Sequence, residues 1–230
     1  MSSAAANPTS ATAGAASATA RERLLQAGMQ RIRAQGFAAT SVDELCADAG
    51  VTKGAFFHHF PSKEGLGVAL AEYWKTITGA FFARAAYHRL ADPVARVLGY
   101  IDLRIELVSG PPERFSCVAG TLLQENFASS APIRAACADS ILSHAGTLEA
   151  DIAAALAARK VTDADPASLA RYLQTVTQGA FVLAKTADPE HAAARARESL
   201  GHLRRYFELL LGEPRSTAQP SPTTTKGHRA

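Results

Sequence analysis

Large apolar residues recur at helical spacing through most of this chain, and this periodicity constrains the fold more than any other feature. Leu66, Leu70, Tyr73 and Ile77 follow one another at intervals of three or four residues, as one face of an α-helix requires. No segment shows the alternation of apolar and polar residues that is typical of a half-buried strand. Alanine is abundant and β-branched residues are few, which also favours helix. The sequence therefore predicts an all-α fold.

Proline, glycine and helix-capping residues divide this periodic region into about nine predicted helices. The proline-led starts at Asp92-Pro93 and Asp165-Pro166 are typical of helix N-termini. The predicted helices have the approximate bounds 21–35, 42–49, 52–59, 62–81, 93–108, 118–127, 132–160, 166–186 and 189–211.

The two ends of the chain differ in composition from the region between them. Residues 1–19 and 213–230 lack periodic large apolar side chains, so they cannot bury enough surface to offset the entropy lost on ordering. We expect both tails to be disordered. Between them we expect two domains, at 20–66 and 67–212.

Cysteine usage and hydropathy indicate a cytoplasmic protein. Cys46, Cys117 and Cys137 lack C-x-x-C spacing, which favours free thiols in a reducing compartment. We find neither the pattern of a secretory signal nor an apolar run long enough to span a membrane. The formal net charge of +3 permits an anionic partner without requiring one.

Two short helical patterns meet at Gly50. Ser41 and Glu44 have the spacing of a capping box, which predicts a helix start. Gly50 permits a sharp turn, and Thr52 can cap a second helix that ends before Pro61. Two short helices joined by a turn with glycine form a helix-turn-helix, whose second helix can enter the DNA major groove.

The residue types around these helix starts strengthen that prediction. Ser41, Thr52 and Ser62 stand at helix N-termini, whose backbone amides can hold phosphates. Lys53 and Lys63 follow two of these positions directly and can add phosphate contacts. We therefore expect double-stranded DNA as a partner.

Residues 21 to about 70 resemble the TetR family of one-component transcriptional regulators. The motifs that match are Gly36-Phe37, Thr40-Ser41-Val42, Ala49-Gly50-Val51, Lys53-Gly54 and Phe60-Pro61-Ser62-Lys63-Glu64. The resemblance implies a repressor that binds a palindromic operator as a homodimer and is released by a small apolar effector.

The resemblance also implies which residues face DNA and which pack behind them. The DNA-facing set is Ser41, Thr52, Lys53, Gly54, Ala55, Phe57, His58 and Lys63. The packing set is Phe37, Leu45, Val51, Phe56 and Phe60. The family usually has tyrosine where this chain has Phe57, so a hydroxyl that could bond a phosphate is absent.

For the C-terminal region the resemblance implies a ligand cavity and a dimer interface. We expect the last two predicted helices to form the interface. The candidate cavity residues are Trp74, Phe81, Tyr100, Arg104, Cys117, Gln124, Phe127 and Gln178. The polar residues of this set are the stronger candidates, because a pocket needs a few polar groups among apolar walls. Each residue also fits an ordinary role in the core or on the surface. Cys117 has two interpretations: a thiolate favoured by a helix N-terminus and a nearby arginine, or a small buried apolar side chain.

The sequence disfavours metal binding and catalysis. His58 and His59 are adjacent, so on a helix they point about a quarter-turn apart, and no cysteine or carboxylate has ligand spacing to them. We find no G-x-S-x-G or H-E-x-x-H motif. We therefore expect a regulator without cofactor or metal. The main alternative is a helical small-molecule-binding protein or enzyme that does not bind DNA.

Overall fold

The computed structural model describes residues 18–212, and this part of the chain is helical without a strand, which confirms the predicted all-α class. A short 3-10 turn at Ala86–Arg89 separates α4 from α5. The predicted disordered tails lie outside the described residues, except for Ala18 and Thr19. The helices are α1 Ala20–Gln35, α2 Val42–Ala49, α3 Lys53–His59, α4 Lys63–Ala83, α5 Pro93–Leu107, α6 Pro112–Phe115, α7 Val118–Asn126, α8 Ala131–Gly146, α9 Glu149–Ala158, α10 Pro166–Ala184 and α11 Pro189–Leu210.

Local capping interactions set the predicted helix-turn-helix. Ser41 and Glu44 form the capping box of α2, each side chain bonding the other residue's backbone amide. Gly50 ends α2 with φ +60°, a left-handed conformation that glycine adopts without a Cβ clash. Thr52 Oγ1 then accepts a hydrogen bond from the Ala55 amide at 3.1 Å and begins α3. The predicted starts of both helices are confirmed.

Aromatic and aliphatic side chains form the core beneath the helix-turn-helix. Leu45, Phe56 and Phe60 are buried, and the ring centroids of the two phenylalanines lie 5.7 Å apart. Phe37 and Val51 are half-buried against the same core. This packing fixes which side of the short α3 faces outward.

Helix α4 belongs to both parts of the molecule. It packs on α1 and, along its length, on α7 and α8. Gly28 of α1 allows the close approach, because a Cβ there would lie 3.0 Å from Leu70 Cδ1. Helix α4 therefore contacts both the N-terminal helices and the C-terminal bundle.

The prediction of one helix from 132 to 160 was wrong. Helix α8 ends at Gly146, and α9 begins at Glu149. Between them the Thr147 hydroxyl donates a hydrogen bond to the His144 carbonyl at 2.7 Å, and the side chain of Leu148 is buried. These contacts turn the chain, so that α9 packs on α5 and α10 while α8 packs on α4 and α7.

Helix α10 carries a buried stripe and an exposed stripe of side chains. The buried stripe, which includes Leu169, Leu173 and Ala180, faces the chain's own core. Tyr172 and Leu183 belong to the exposed stripe. Helix α11 packs along α10 and completes this end of the bundle.

We expect Ala180→Arg to destabilise the fold strongly. Ala180 is 1% exposed, so an arginine there overfills the core and buries a charge without a partner. The free energy of unfolding should fall by about 3 kcal/mol or more, measured by urea denaturation with circular dichroism. Ala153→Arg, on the exposed side of α9, is the matched control and should change it by less than about 0.5 kcal/mol. Equal losses in the two variants would contradict the packing described here.

Candidate DNA-binding surface and ligand cavity

The exposed side of α3 brings together most of the residues predicted to face DNA. Thr52, Lys53 and Gly54 are exposed at its N-terminus, and Phe57 and His58 are exposed one turn later. Phe57 is 49% exposed, an unusual position for a large apolar ring. Its ring meets the buried Phe56 ring edge-on, with 5.2 Å between centroids. Ala55, also in the predicted set, is half-buried beside them.

An ion pair sets the electrostatics of this surface. Lys53 Nζ lies 2.9 Å from Asp43 Oδ1, and both side chains are largely exposed. The hydrogen bond to Asp43 raises the pKa of Lys53. Lys53 therefore carries its charge at the start of α3, where the helix dipole adds positive potential.

The remaining two predicted DNA-facing residues, Ser41 and Lys63, also have partners within the protein. Ser41 Oγ caps α2 by accepting a hydrogen bond from the Glu44 amide. Lys63 Nζ donates to the Ala38 carbonyl at 3.3 Å and lies 4.5 Å from the centroid of the Phe37 ring. Burial lowers the pKa of Lys63. In this conformation Lys63 stabilises the turn between α1 and α2.

A buried arginine joins the N-terminal helices to the C-terminal bundle. Arg33 of α1 is 3% exposed, and its Nε donates to the Met29 carbonyl at 2.9 Å. Nη1 reaches the Ser116 carbonyl at 3.4 Å, and the guanidinium lies 5.4 Å from the centroid of the Trp74 ring. Burial lowers the pKa of Arg33 to about 10, so it remains charged at neutral pH.

A carboxylate makes the second connection. Glu125 of α7 accepts hydrogen bonds from the Phe37 amide at 3.0 Å and from the Ala38 amide at 2.7 Å. Gly36 has φ +91°, and a Cβ there would lie 2.5 Å from Glu125 Oε1. The glycine thus admits the carboxylate to the turn between α1 and α2.

A small cavity lies among α4, α5, α8 and α10, with α6 and the start of α7 at one side. Its volume is about 40 Å³, and an adjoining cavity of about 30 Å³ shares Trp74, Thr78, Arg104, Phe115 and Phe181 with it. The main cavity is lined by Trp74, Thr78, Arg104, Phe115, Cys117, Ser140, Ile141, His144, Gln174, Gln178 and Phe181. Four of the predicted ligand residues therefore meet here: Trp74, Arg104, Cys117 and Gln178.

Tyr100 lies directly behind this cavity and organises its polar side. Its hydroxyl oxygen accepts from Arg104 Nε at 2.7 Å and from Gln174 Nε2 at 3.3 Å. His144 Nε2 lies 2.8 Å from the Tyr100 hydroxyl and also 2.8 Å from Arg104 Nη2. Burial, and secondarily the charge of Arg104, lowers the pKa of His144 to about 3. His144 is therefore neutral, with Nε2 as a hydrogen-bond acceptor.

The remaining predicted ligand residues lie elsewhere. Phe81 lines an open groove of about 910 Å³ formed by α4, the 3-10 turn and α5. Gln124 lies at a shallow pocket with Lys185, beside the cavity. Phe127 is 60% exposed at the end of α7 and lines none of these cavities.

Cys117 occupies the N-cap position of α7. Its side chain is buried, and Sγ accepts a hydrogen bond from the Gly120 amide at 3.4 Å. Gly120 also makes room for Gln178, whose Oε1 would lie 2.3 Å from a Cβ at that position. This position, at a helix start and in the cavity wall, is compatible with both interpretations of Cys117.

His144 and Gln174 were not predicted from the sequence, although both belong to the polar cluster. They lie on α8 and α10, far from Tyr100 in the chain, so their spacing carries no signal. Among residues 18–212 no three potential metal ligands come together as a site. No helix of that region is both long enough and apolar enough to cross a membrane.

We expect His144 to make stability depend on pH. Its pKa is about 3 in the folded chain and near 6.5 when unfolded, so between these values the unfolded chain binds a proton that the folded chain does not. Stability should therefore fall as the pH drops below 6.5, by up to about 1.4 kcal/mol per pH unit from this residue.

His144→Gln should reduce this slope between pH 7 and pH 5, because glutamine can still accept a hydrogen bond from Arg104 without titrating. Urea denaturation at each pH measures the effect. His191→Gln, which replaces an exposed histidine, is the matched control. An unchanged slope in His144→Gln would show that His144 is not the group responsible.

Comparison with known proteins places both parts of the chain. Residues 24–70 match the model of bacterial regulatory proteins of the tetR family, and residues 93–200 match a tetracyclin repressor-like C-terminal domain. The transcriptional regulator AcuR of Cereibacter sphaeroides is 31% identical over 117 residues, 51% of this chain and 53% of AcuR. The match thus spans about half the length of that relative. The transcriptional repressor NemR of Escherichia coli K12 is 46% identical over 52 residues, 23% of this chain and 26% of NemR.

Solved structures share the fold over most of the chain. The reduced form of E. coli NemR superposes with a TM-score of 0.69 at 24% identity, covering 86% of this chain and all of NemR (100%). A regulatory protein TetR from Rhodobacter sphaeroides gives a TM-score of 0.68 at 23% identity, covering 84% of this chain and 99% of that one. These similarities show the fold, and the two matched models show the family. The chain belongs to the TetR family of bacterial transcriptional regulators, which are not enzymes.

Proposed function

We propose that this protein is a repressor that binds a palindromic operator as a homodimer and leaves it when a small molecule occupies the cavity. The observation that carries the proposal is the short path between the two sites. Trp74 lines the cavity and also stacks on Arg33, which belongs to the N-terminal helices. The N-terminal unit, 20–66, would bind DNA, and the region 67–212 would bind ligand and partner. The relative NemR is named a repressor, which agrees with the proposal of repression.

The surface of α3 suits the major groove of DNA. Thr52, Lys53 and Gly54 present a capped helix start with free access for a phosphate or a base edge. Phe57 adds an exposed ring that can pack on sugar and backbone. One helix of this length contacts too few base pairs for selective binding, whereas two related by a dyad read a palindrome.

An exposed apolar surface on the last two helices supports the homodimer. The surface, here called the dimer face, consists of Tyr172, Val176, Gly179 and Leu183 on α10 with Tyr206 and Leu209 on α11. The rings of Tyr172 and Tyr206 meet across the two helices at 5.2 Å between centroids. Contiguous exposed apolar surface of this kind marks interaction sites in soluble proteins.

Release from DNA would follow from a shift of the contacts around Arg33. A ligand that moves Trp74 changes the ring on which Arg33 stacks, and one that moves Cys117 also moves the adjacent Ser116 carbonyl. Either change tilts α1 and hence α3. Two α3 helices must enter major grooves about 34 Å apart, so a small tilt disrupts paired docking.

We expect Lys53→Gln to weaken binding to operator and to unrelated DNA alike, because a lysine at a helix start contacts phosphate rather than bases. The salt dependence should flatten by about one unit of slope for each lysine–phosphate pair removed, or about two for a dimer. Mobility-shift titrations at several salt concentrations measure both quantities.

Lys75→Gln is the matched control, since Lys75 forms an equivalent exposed pair with Asp139 at 2.8 Å on α4 and α8. It should leave DNA binding unchanged. If wild-type protein shows no salt-dependent preference for any DNA, the alternative of a helical small-molecule-binding protein replaces this proposal.

We expect Leu183→Arg to convert the dimer to a folded monomer, because it places two charges in the dimer face. Leu183 is 50% exposed in the single chain, so folding itself should tolerate the change. Sedimentation at micromolar concentration and circular dichroism test the two statements. Leu142→Arg, at an exposed leucine of α8 outside the dimer face, is the control and should remain a dimer. A dimeric Leu183→Arg would place the interface elsewhere.

A further inference from the structure

Arg104 is a cation in the cavity wall without an anionic partner. None of the residues that line the two adjoining cavities is a carboxylate. Arg104 also forms no ion pair with any described acidic side chain, in contrast to Arg31, Arg96 and Arg204. A partly buried charge of this kind costs free energy that a bound anion would offset.

Several hydrogen-bond donors of Arg104 remain available. A guanidinium has five N–H groups. Nε donates to Tyr100, and one N–H of Nη2 donates to His144. Nη1 makes no hydrogen bond within the described chain, and the second N–H of Nη2 has no further partner there. Nη1 and Nη2 together can form the two parallel bonds by which arginine binds a carboxylate.

The surrounding groups hold Arg104 in place. Its guanidinium lies over the Phe82 ring at 4.4 Å and is bonded on one edge to Tyr100. The neutral His144 accepts from it and adds no second positive charge. The site therefore offers one fixed cation, which matches a single negative charge.

We propose that Arg104 anchors a binding site for a short-chain monocarboxylate, and that this is the effector class of the proposed repressor. The statement that the carboxylate is the effector rests on the proposed function. The statement that a carboxylate binds here rests on the cavity alone.

The size and the walls of the cavity select this class. Volumes of about 40 and 30 Å³ each hold about two or three water molecules, which excludes a long acyl chain in this conformation. Trp74, Phe115 and Phe181 supply apolar surface for a short hydrocarbon body. Gln178 and Ser140 offer further polar contacts. The proposed effector therefore differs from the small apolar effector expected from the sequence, because it carries a charged carboxylate at one end.

The first test uses wild-type full-length protein and needs no variant. Butyrate and butyramide have the same shape, but only butyrate is charged at neutral pH. Titration calorimetry should show at least tenfold tighter binding of butyrate, because hydrogen bonds to a charged group are the stronger ones. The fluorescence of Trp74, the one tryptophan of the chain, should change over the same concentration range. Acetate and propionate are measured in parallel. Equal binding of acid and amide, or no binding of any of the three acids, would overturn the proposal.

Variants then assign the effect to Arg104. Arg104→Gln should lower butyrate affinity about tenfold to a hundredfold and abolish the preference over butyramide. Arg104→Lys keeps the charge without the planar fork, so it should retain a reduced preference for the acid. Arg84→Gln, at an arginine that lines the open groove instead, is the matched control and should bind as wild type does. Full butyrate affinity in a folded Arg104→Gln would contradict the assignment.

Operator binding separates this inference from the proposed function. DNA from upstream of the protein's own gene is titrated with wild-type protein, first without and then with butyrate. If the protein binds DNA but shows no acid-specific binding of the three carboxylates, the Arg104 site is contradicted and the proposed repressor stands. If the protein binds the acids specifically but has no affinity for DNA, the proposed repressor is contradicted and the Arg104 site stands. Butyrate-induced release of DNA, absent in Arg104→Gln, supports both.

Discussion

The buried guanidinium of Arg33 fixes the position of the N-terminal helices on the rest of the molecule. A charge removed from water must be surrounded by hydrogen-bond acceptors or polarisable groups, or the fold loses several kcal/mol. Arg33 finds the carbonyls of Met29 and Ser116 and the face of Trp74. Because these groups come from α1, from the segment between α6 and α7, and from α4, the three elements hold a single relative arrangement.

Glu125 makes a second connection between the N-terminal helices and the rest of the molecule, with a charge opposite to that of Arg33. Its carboxylate bonds two backbone amides in the turn between α1 and α2, at a glycine that leaves room for it. Arg33 contacts groups that border the cavity, whereas Glu125 contacts the segment that precedes the helix-turn-helix. In the proposed mechanism, Arg33 and Glu125 together form the route by which a change at the cavity reaches α3.

The cavity shows how an alanine-rich bundle accommodates polarity. Tyr100, Arg104, His144 and Gln174 form hydrogen bonds with one another, which limits the cost of removing these groups from water. The network leaves one positive charge uncompensated. A bundle selected only for stability would place apolar side chains there, and this polarity supports the ligand site proposed above.

The sequence by itself determined the helical class and the start of each N-terminal helix. Those features depend on interactions between residues three or four apart, such as the capping box of Ser41 and Glu44, and local spacing encodes them. It also identified Trp74, Arg104, Cys117 and Gln178 as candidates, but not that they line one cavity. Only the tertiary structure decided that His144 joins them, that α8 and α9 are separate helices, and that Arg33 is buried. Each of these depends on contacts between distant helices, whose relative placement is set by packing of the whole bundle.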